Sequence, residues 1–206
     1  MGISPQQFAQ LQARVQSPRR VARPASPEPN PASPSAAPTR HSVILGIDPS
    51  LRGTGWGMIS RNGPHFRPLG HGTIHCPAGW ARSRCLVKIA AELRDAIRTH
   101  QPTTCAIEGL FFAQNLQTAL LMGEARGVCL LAAAEAGLEI CEIAPRKVKQ
   151  AIVGFGGAQK LAVARMVQRL LGLDAPPDPD AADALALALV HARESGHPSL
   201  APRRRL

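Results

Sequence analysis

Apolar positions are patterned differently on either side of residue 41. Beyond it, "HSVILGID" is a short apolar run rich in β-branched residues and reads as a buried strand, and after a Pro-containing turn "GTGWGMISRN" reads as a second. Asn62-Gly63 offers a turn, with "HFRPLGHGTIHCP" as a third strand. Three strands in succession predict an antiparallel meander. The spacing of Leu86, Ile89, Leu93 and Ile97 predicts a helix over "SRCLVKIAAELRDAIRTHQP", ended by Pro102. "TTCAIEGLFF" reads as a strand that stops at Glu108, and "NLQTALLMGEARGVCLLAAAEAG" as a long helix with Asn115 as N-cap and Gly137 as C-cap. "LEICEIAP" is a further strand, Pro145 opens a helix, "FGG" breaks it, "AQKLAVARMVQRLLGL" resumes, and a last helix begins near Asp180. A meander followed by alternating strands and helices predicts an α/β fold, a mixed sheet with helices packed on its faces.

Residues 1–41 hold eight of the 19 prolines and almost no aliphatic periodicity after Val21. Such a segment cannot bury enough to offset its ordering entropy, so it is expected to be a disordered tail. Its start, "SPQQFAQLQARV", places Phe8, Leu11 and Val15 on one helical face, read as a frayed turn in preference to a partner-binding helix. The expected domain is 42–192, followed by a basic tail over 193–206. Of the formal charge of +10, the N-terminal segment carries five Arg against one Glu and the C-terminal tail four Arg against one Glu. Basic tails point to a polyanion, nucleic acid before membrane, because no amphipathic basic helix accompanies them. Neither a signal peptide nor a membrane span is read from the sequence, and the expected compartment is cytoplasmic. Five scattered cysteines lack C-x-x-C spacing and read as reduced core residues.

Four acids stand where apolar elements end. Asp48 follows "VILGI" and Glu108 follows "TTCAI", each at a position where a carboxylate is costly unless paired or metal-bound. Asp180 and Asp183 open the alanine-rich run "DAADALALAL". Three apart on a helix, they share one face about 5 to 6 Å apart, where like charges repel unless something positive lies between them. Capping at the helix start is the plainer explanation for that pair, and strand-end acids pointing into water for the other two. No Lys or Arg lies beside the four in sequence. Oxygen donors without His or Cys suit hard cations, Mg²⁺ or Mn²⁺, and two such ions about 3.5 to 4 Å apart can activate a water and stabilise a leaving oxygen in phosphodiester cleavage.

"GIDPSLRGTGWGMI", "AIEGLFFAQN", "GEARG", "RKVKQAIVGFGGAQK" and "DAADALALAL", in this order and at these separations, closely resemble the RuvC family of Holliday junction resolvases. The resemblance covers roughly residues 43–192. It implies a ribonuclease H-like mixed five-stranded sheet flanked by helices, and a homodimeric crossover junction endodeoxyribonuclease with two Mg²⁺ per active site, Mn²⁺ substituting. The family's catalytic and metal-binding tetrad falls on Asp48, Glu108, Asp180 and Asp183. Phe111 matches the aromatic that stacks on an unpaired base, and such stacking is worth about 1 to 3 kcal/mol. Lys149 and Lys160 match residues set against the DNA backbone, with Arg52 and Asn115 also assigned to DNA contact. The partners implied are four-way junction DNA, a second copy of the chain, and the RuvA–RuvB branch-migration complex.

Ser50 and Gln114 stand where the family commonly has Gly and Lys, and Gly109 replaces a usual polar or acidic residue. These departures bear on DNA affinity more than on chemistry. Two other classes compete. "GIDPSLRGTGWG" also looks like the phosphate-binding hairpin of sugar kinases and actin, which would imply ATP, though about 160 folded residues supply only one of the two domains those proteins use. A non-cleaving junction- or RNA-binding relative is the second.

Overall fold

The computed structural model describes residues 41–109, 116–195 and 204–206. The expectations placed on the N-terminal tail, and those on Phe111, Gln114 and Asn115, fall outside them. The meander is β1 (His41–Asp48), β2 (Gly53–Asn62) and β3 (His65–His75). Its second turn falls at the expected place: Asn62 pairs with His65, and Gly63, at φ 61°, makes the reversal with Pro64. Then come α1 (Arg82–His100), β4 (Thr104–Glu108), α2 (Leu116–Glu135), β5 (Glu139–Ile143), α3 (Pro145–Val153), α4 (Lys160–Leu171) and α5 (Pro179–Glu194).

The sheet order is β3-β2-β1-β4-β5, with β1, β4 and β5 parallel and β2 antiparallel to β1. A two-residue strand, β6 (Arg204–Arg205), adds an antiparallel sixth at the β5 edge. The C-terminal residues expected only as a basic tail therefore cap an edge whose backbone groups would otherwise lack partners.

β1 is central and covered on both faces, which is why "VILGI" is apolar without alternation. Leu45 and Ile47 face α1 and α2, packing with Ile89, Leu93, Ala125 and Cys129. Ile44 faces the other way with Ala106 and Ile143, against Val148 of α3, Val163 of α4 and Leu185 and Leu189 of α5. By the two-residue period of a strand, Gly46 and Asp48 share the face of Ile44, the face covered by α5. All five cysteines are buried and none forms a disulfide.

Seating α5 requires glycine. A Cβ on Gly46 would collide with the carbonyl of Ala184, and one on Gly55 with the carbonyl of Asp180. The bare backbone of β1 and β2 lets an alanine-faced helix lie directly on the sheet, and so carries the first turn of α5 to the C-terminal ends of the parallel strands.

Candidate active site

Asp48 is the last residue of β1 and Glu108 the last of β4. These strands pair in parallel with Ile47 opposite Ile107, so the next step sets the two acids side by side on the α5 face. Asp180 and Asp183 arrive from the first turns of α5, and Asp183 is the more deeply buried of the pair. Capping does not account for them: the N-cap is Asp178, which makes no side-chain cap bond. Water does not dissipate the strand-end charge either, since Asp48 is only 9% exposed.

Burial pushes the Asp48 carboxyl up to about 9, and the neighbouring Glu108 and Asp183 charges add to the shift. Asp48 and Glu108 lie close enough that each carboxyl bears on the ionisation of the other. Burial also raises Glu108 and Asp183 above the ordinary carboxylate range, against the pull of Lys160 and Lys149.

The positive charge missing from the local sequence comes from α4. Lys160, the first residue of that helix, places Nζ 2.9 Å from Asp180 Oδ1 and 3.3 Å from Asp183 Oδ2. Burial works against its ammonium, and the carboxylates of Asp180 and Asp183 outweigh that effect, holding its pKa above the ordinary lysine value. Lys149, half-buried on α3, turns its charge on Glu108 and Asp183. The guanidinium of Arg52 donates to the carbonyls of Pro77, at 2.6 Å, and Trp80, at 3.3 Å, bracing the loop before α1. Ser50 needs no left-handed backbone, and its turn is closed by Thr54, whose Oγ1 accepts from the Ser50 amide at 3.2 Å. Gly109 donates its amide to the carbonyl of Ile143 at 2.9 Å, continuing the β4–β5 pairing.

One supporting group went unread in the sequence. Arg126 of α2, inside the quoted "GEARG", is buried and donates to the main-chain carbonyl of Glu108 and to the carboxylate of Glu142 on β5. Charged residues in apolar segments, one in α2 and one in β5, were the available signal for a buried pair.

Among the described residues, no three His, Cys, Asp or Glu side chains close into a ready metal-ligand set. The donor chemistry nonetheless fits a hard cation: carboxylate oxygens alone, two at adjacent strand ends and two sharing a lysine ammonium.

The solved structure "T. thermophilus RuvC in complex with Holliday junction substrate" matches with a TM-score of 0.68 and 36% identity, over 74% of this chain and 93% of that one. The sheet and its helices thus form a ribonuclease H-like fold. The family model of the crossover junction endodeoxyribonuclease RuvC matches residues 44–191. RuvC of Rubrobacter xylanophilus is 48% identical over 151 residues, 73% of this chain and 84% of that protein. RuvC of Moorella thermoacetica is 50% identical over 151 residues, 73% and 90% respectively. The chain belongs to the RuvC family of crossover junction endodeoxyribonucleases.

Proposed function

We propose that this protein is an endonuclease that resolves four-way DNA junctions by paired symmetric nicks during recombination and repair. The observation that carries the reading is the convergence of four acids from three elements, with Asp48 and Glu108 side by side at the ends of paired parallel strands and Asp180 and Asp183 brought beside them by α5. A fold gains no stability from such a cluster; it gains a place for cations.

Metal dependence is a property of the family. The ion proposed here is Mg²⁺, two per site with Mn²⁺ substituting, held by Asp48, Glu108, Asp180 and Asp183. When bound, these ions supply Lewis acidity, lowering the pKa of an attacking water and offsetting charge on the leaving oxygen. The residues contribute the rest. Asp48 and Glu108 would face the ions with carboxylate oxygens from adjacent strand ends, and Arg126 fixes the backbone that presents Glu108. Lys149 and Lys160 bring positive charge where phosphates approach, a contact that holds without reading sequence. In this reading water attacks phosphorus and a 3′-hydroxyl leaves, and among the described residues no Ser or Cys side chain stands among the four acids as a competing nucleophile.

Symmetric nicks require two identical sites about a two-fold axis. Supporting a second copy, Leu116, Leu120 and Leu131 of α2 are exposed, and Gly123 and Gly127 between them meet nothing of their own sheet. α2 is apolar and long enough to cross a membrane by length and composition, but its Arg126, Cys129 and Ala132 pack into this domain. We assign the outer stripe to the partner copy, the compartment to the cytoplasm, and residues 1–40 to a tail preceding the nuclease domain, which takes in the α5 end and the Arg204–Arg205 strand. RuvA–RuvB is the partner proposed for branch migration.

The test is cleavage of a labelled mobile four-way junction beside linear duplex and an RNA hairpin, with Mg²⁺ and with chelator. Paired nicks in the junction alone, lost with chelator, support the reading. A junction bound but uncut returns the protein to the non-cleaving class, and cutting of the hairpin alone makes it a ribonuclease.

A further inference from the structure

The start of α1 carries the wrong charges for a helix. Its first turn has no acidic residue, its N-cap is Ala81 with no side-chain bond, and its opening residues include Arg82 and Arg84. Free amides and the positive end of the macrodipole favour anions there, so basic side chains at that end raise the potential instead of cancelling it. The guanidinium of Arg84 lies 3.7 Å over the ring of Trp80, and Lys88, a turn further on, lies 5.7 Å from the same ring. Arg52 closes the group from the strand side, held to the carbonyls of Pro77 and Trp80. Arg82 pairs with Glu124 and Lys88 with Glu92. Among the described residues, Arg84 and Arg52 have no carboxylate in ion-pair range. The cluster retains net positive charge.

Its place in the fold gives that charge a direction. A cavity of about 490 Å³, lined by Ser50, Leu51, Arg52, Arg82 and Gln117 among others, runs from the segment just after Asp48 to the start of α1. The basic cluster therefore continues from the acids, but onto the α1 and α2 side of the sheet, away from Lys149 and Lys160.

We propose that the α1 start, with Trp80, Arg82, Arg84 and Lys88 and with its loop braced by Arg52, is a second phosphate-backbone track that holds a duplex arm of the DNA leaving the acidic site. This rests on the proposed function and adds a binding surface to it. The contact is electrostatic: an exposed guanidinium stacked on an indole keeps its donors outward for phosphate oxygens while losing little freedom on binding. The track positions an arm without touching the reacting phosphate.

The full chain with Arg82→Gln and Arg84→Gln is compared with Arg94→Gln and Arg98→Gln, the same charge change at the other end of the same helix. Junction and linear duplex binding are read by fluorescence anisotropy across a salt series in chelator, with circular dichroism melting as the folding control. Single-turnover cutting is read at saturating protein. The first variant is expected to lose about 10-fold in affinity and to flatten the log–log salt slope by about 2, with the cutting rate at saturation kept. The second should bind as the wild type does. Equal loss in both variants reduces the effect to net charge and overturns the track, as does an unchanged slope in the first. Trp80→Leu, which removes the stacking platform but no charge, should weaken binding and leave the slope alone; unchanged binding would remove the platform. A wild type that never cuts the junction refutes the nuclease reading itself, while one that cuts with an unchanged slope in the first variant refutes only the track.

Discussion

The ammonium of Lys160 stands 2.9 Å from a carboxylate oxygen of Asp180, joining the first residue of one helix to the first turn of the next. Its second contact, 3.3 Å to Asp183, makes this one lysine the cation between two acids that would otherwise repel.

Lys160→Ala should therefore have two opposed effects. With the lysine gone, Asp180 and Asp183 meet a divalent ion without a competitor, so Mn²⁺ affinity of the free protein, read by electron paramagnetic resonance, should tighten by about 2- to 5-fold, the scale of partly exposed pairs. Junction cutting should fall, because the same charge serves the DNA backbone. Weaker Mn²⁺ binding in the variant would show that the lysine organises the acids and does not compete for them.

The Asp48 carboxyl should make the metal-free protein less stable as pH rises. Its folded pKa of about 9 lies far above that of an ordinary aspartate, so its contribution is fully present below about pH 4 and is lost as pH climbs through about 9. In chelator, the Tm of wild type should fall between pH 5 and 9, Asp48→Asn should flatten that decline, and the variant should be the more stable at pH 8. Mg²⁺ should raise the Tm of wild type more at pH 8 than at pH 5, because binding must expel the proton. A decline identical in wild type and Asp48→Asn would place the titration elsewhere.

Gly55→Ala tests the seat of α5. The added methyl meets the carbonyl of Asp180, so the helix must shift with both of its acids. Loss of about 1 to 3 kcal/mol in denaturant melts is expected, with cutting reduced beyond what the unfolded fraction explains. Unchanged stability and cutting would show the helix sits further from the sheet.

Breaking the Arg126–Glu142 pair should cost more than replacing it. Arg126→Ala is expected to lose about 3 to 5 kcal/mol, while the double change Arg126→Met with Glu142→Leu should recover much of that. Cutting should remain impaired in the stable double variant, since nothing then holds the Glu108 carbonyl. Full activity there would make the pair a matter of stability alone.

Much of this was legible in residue patterns because the strands and helices obey them. The apolar run ending in Asp48 and the strand stopping at Glu108 are where expected, and so is a helix opening around Asp180. Lys160 as counter-ion was not legible: it lies 20 residues from Asp180, and only the packing of α4 beside α5 closes that gap. Arg52 was expected at a DNA contact by its place in a matched segment; that it also braces the loop before α1 through the Pro77 and Trp80 carbonyls had no sequence signal. The alternating glycines of "GTGWG" were in view, but that they form the floor under α5 depends on which face the helix covers. A strand at Arg204–Arg205 had no pattern to announce it, being two residues long at an open edge.

The most direct test of the central claim is Asp183→Asn on a labelled four-way junction in Mg²⁺, with binding and cutting measured on the same protein. The substitution keeps shape and removes one carboxylate that a divalent ion needs. The account predicts junction binding within about 2-fold of wild type and a cutting rate lower by about 100-fold or more. Normal cutting by Asp183→Asn would contradict the assignment of the four acids as the nuclease centre.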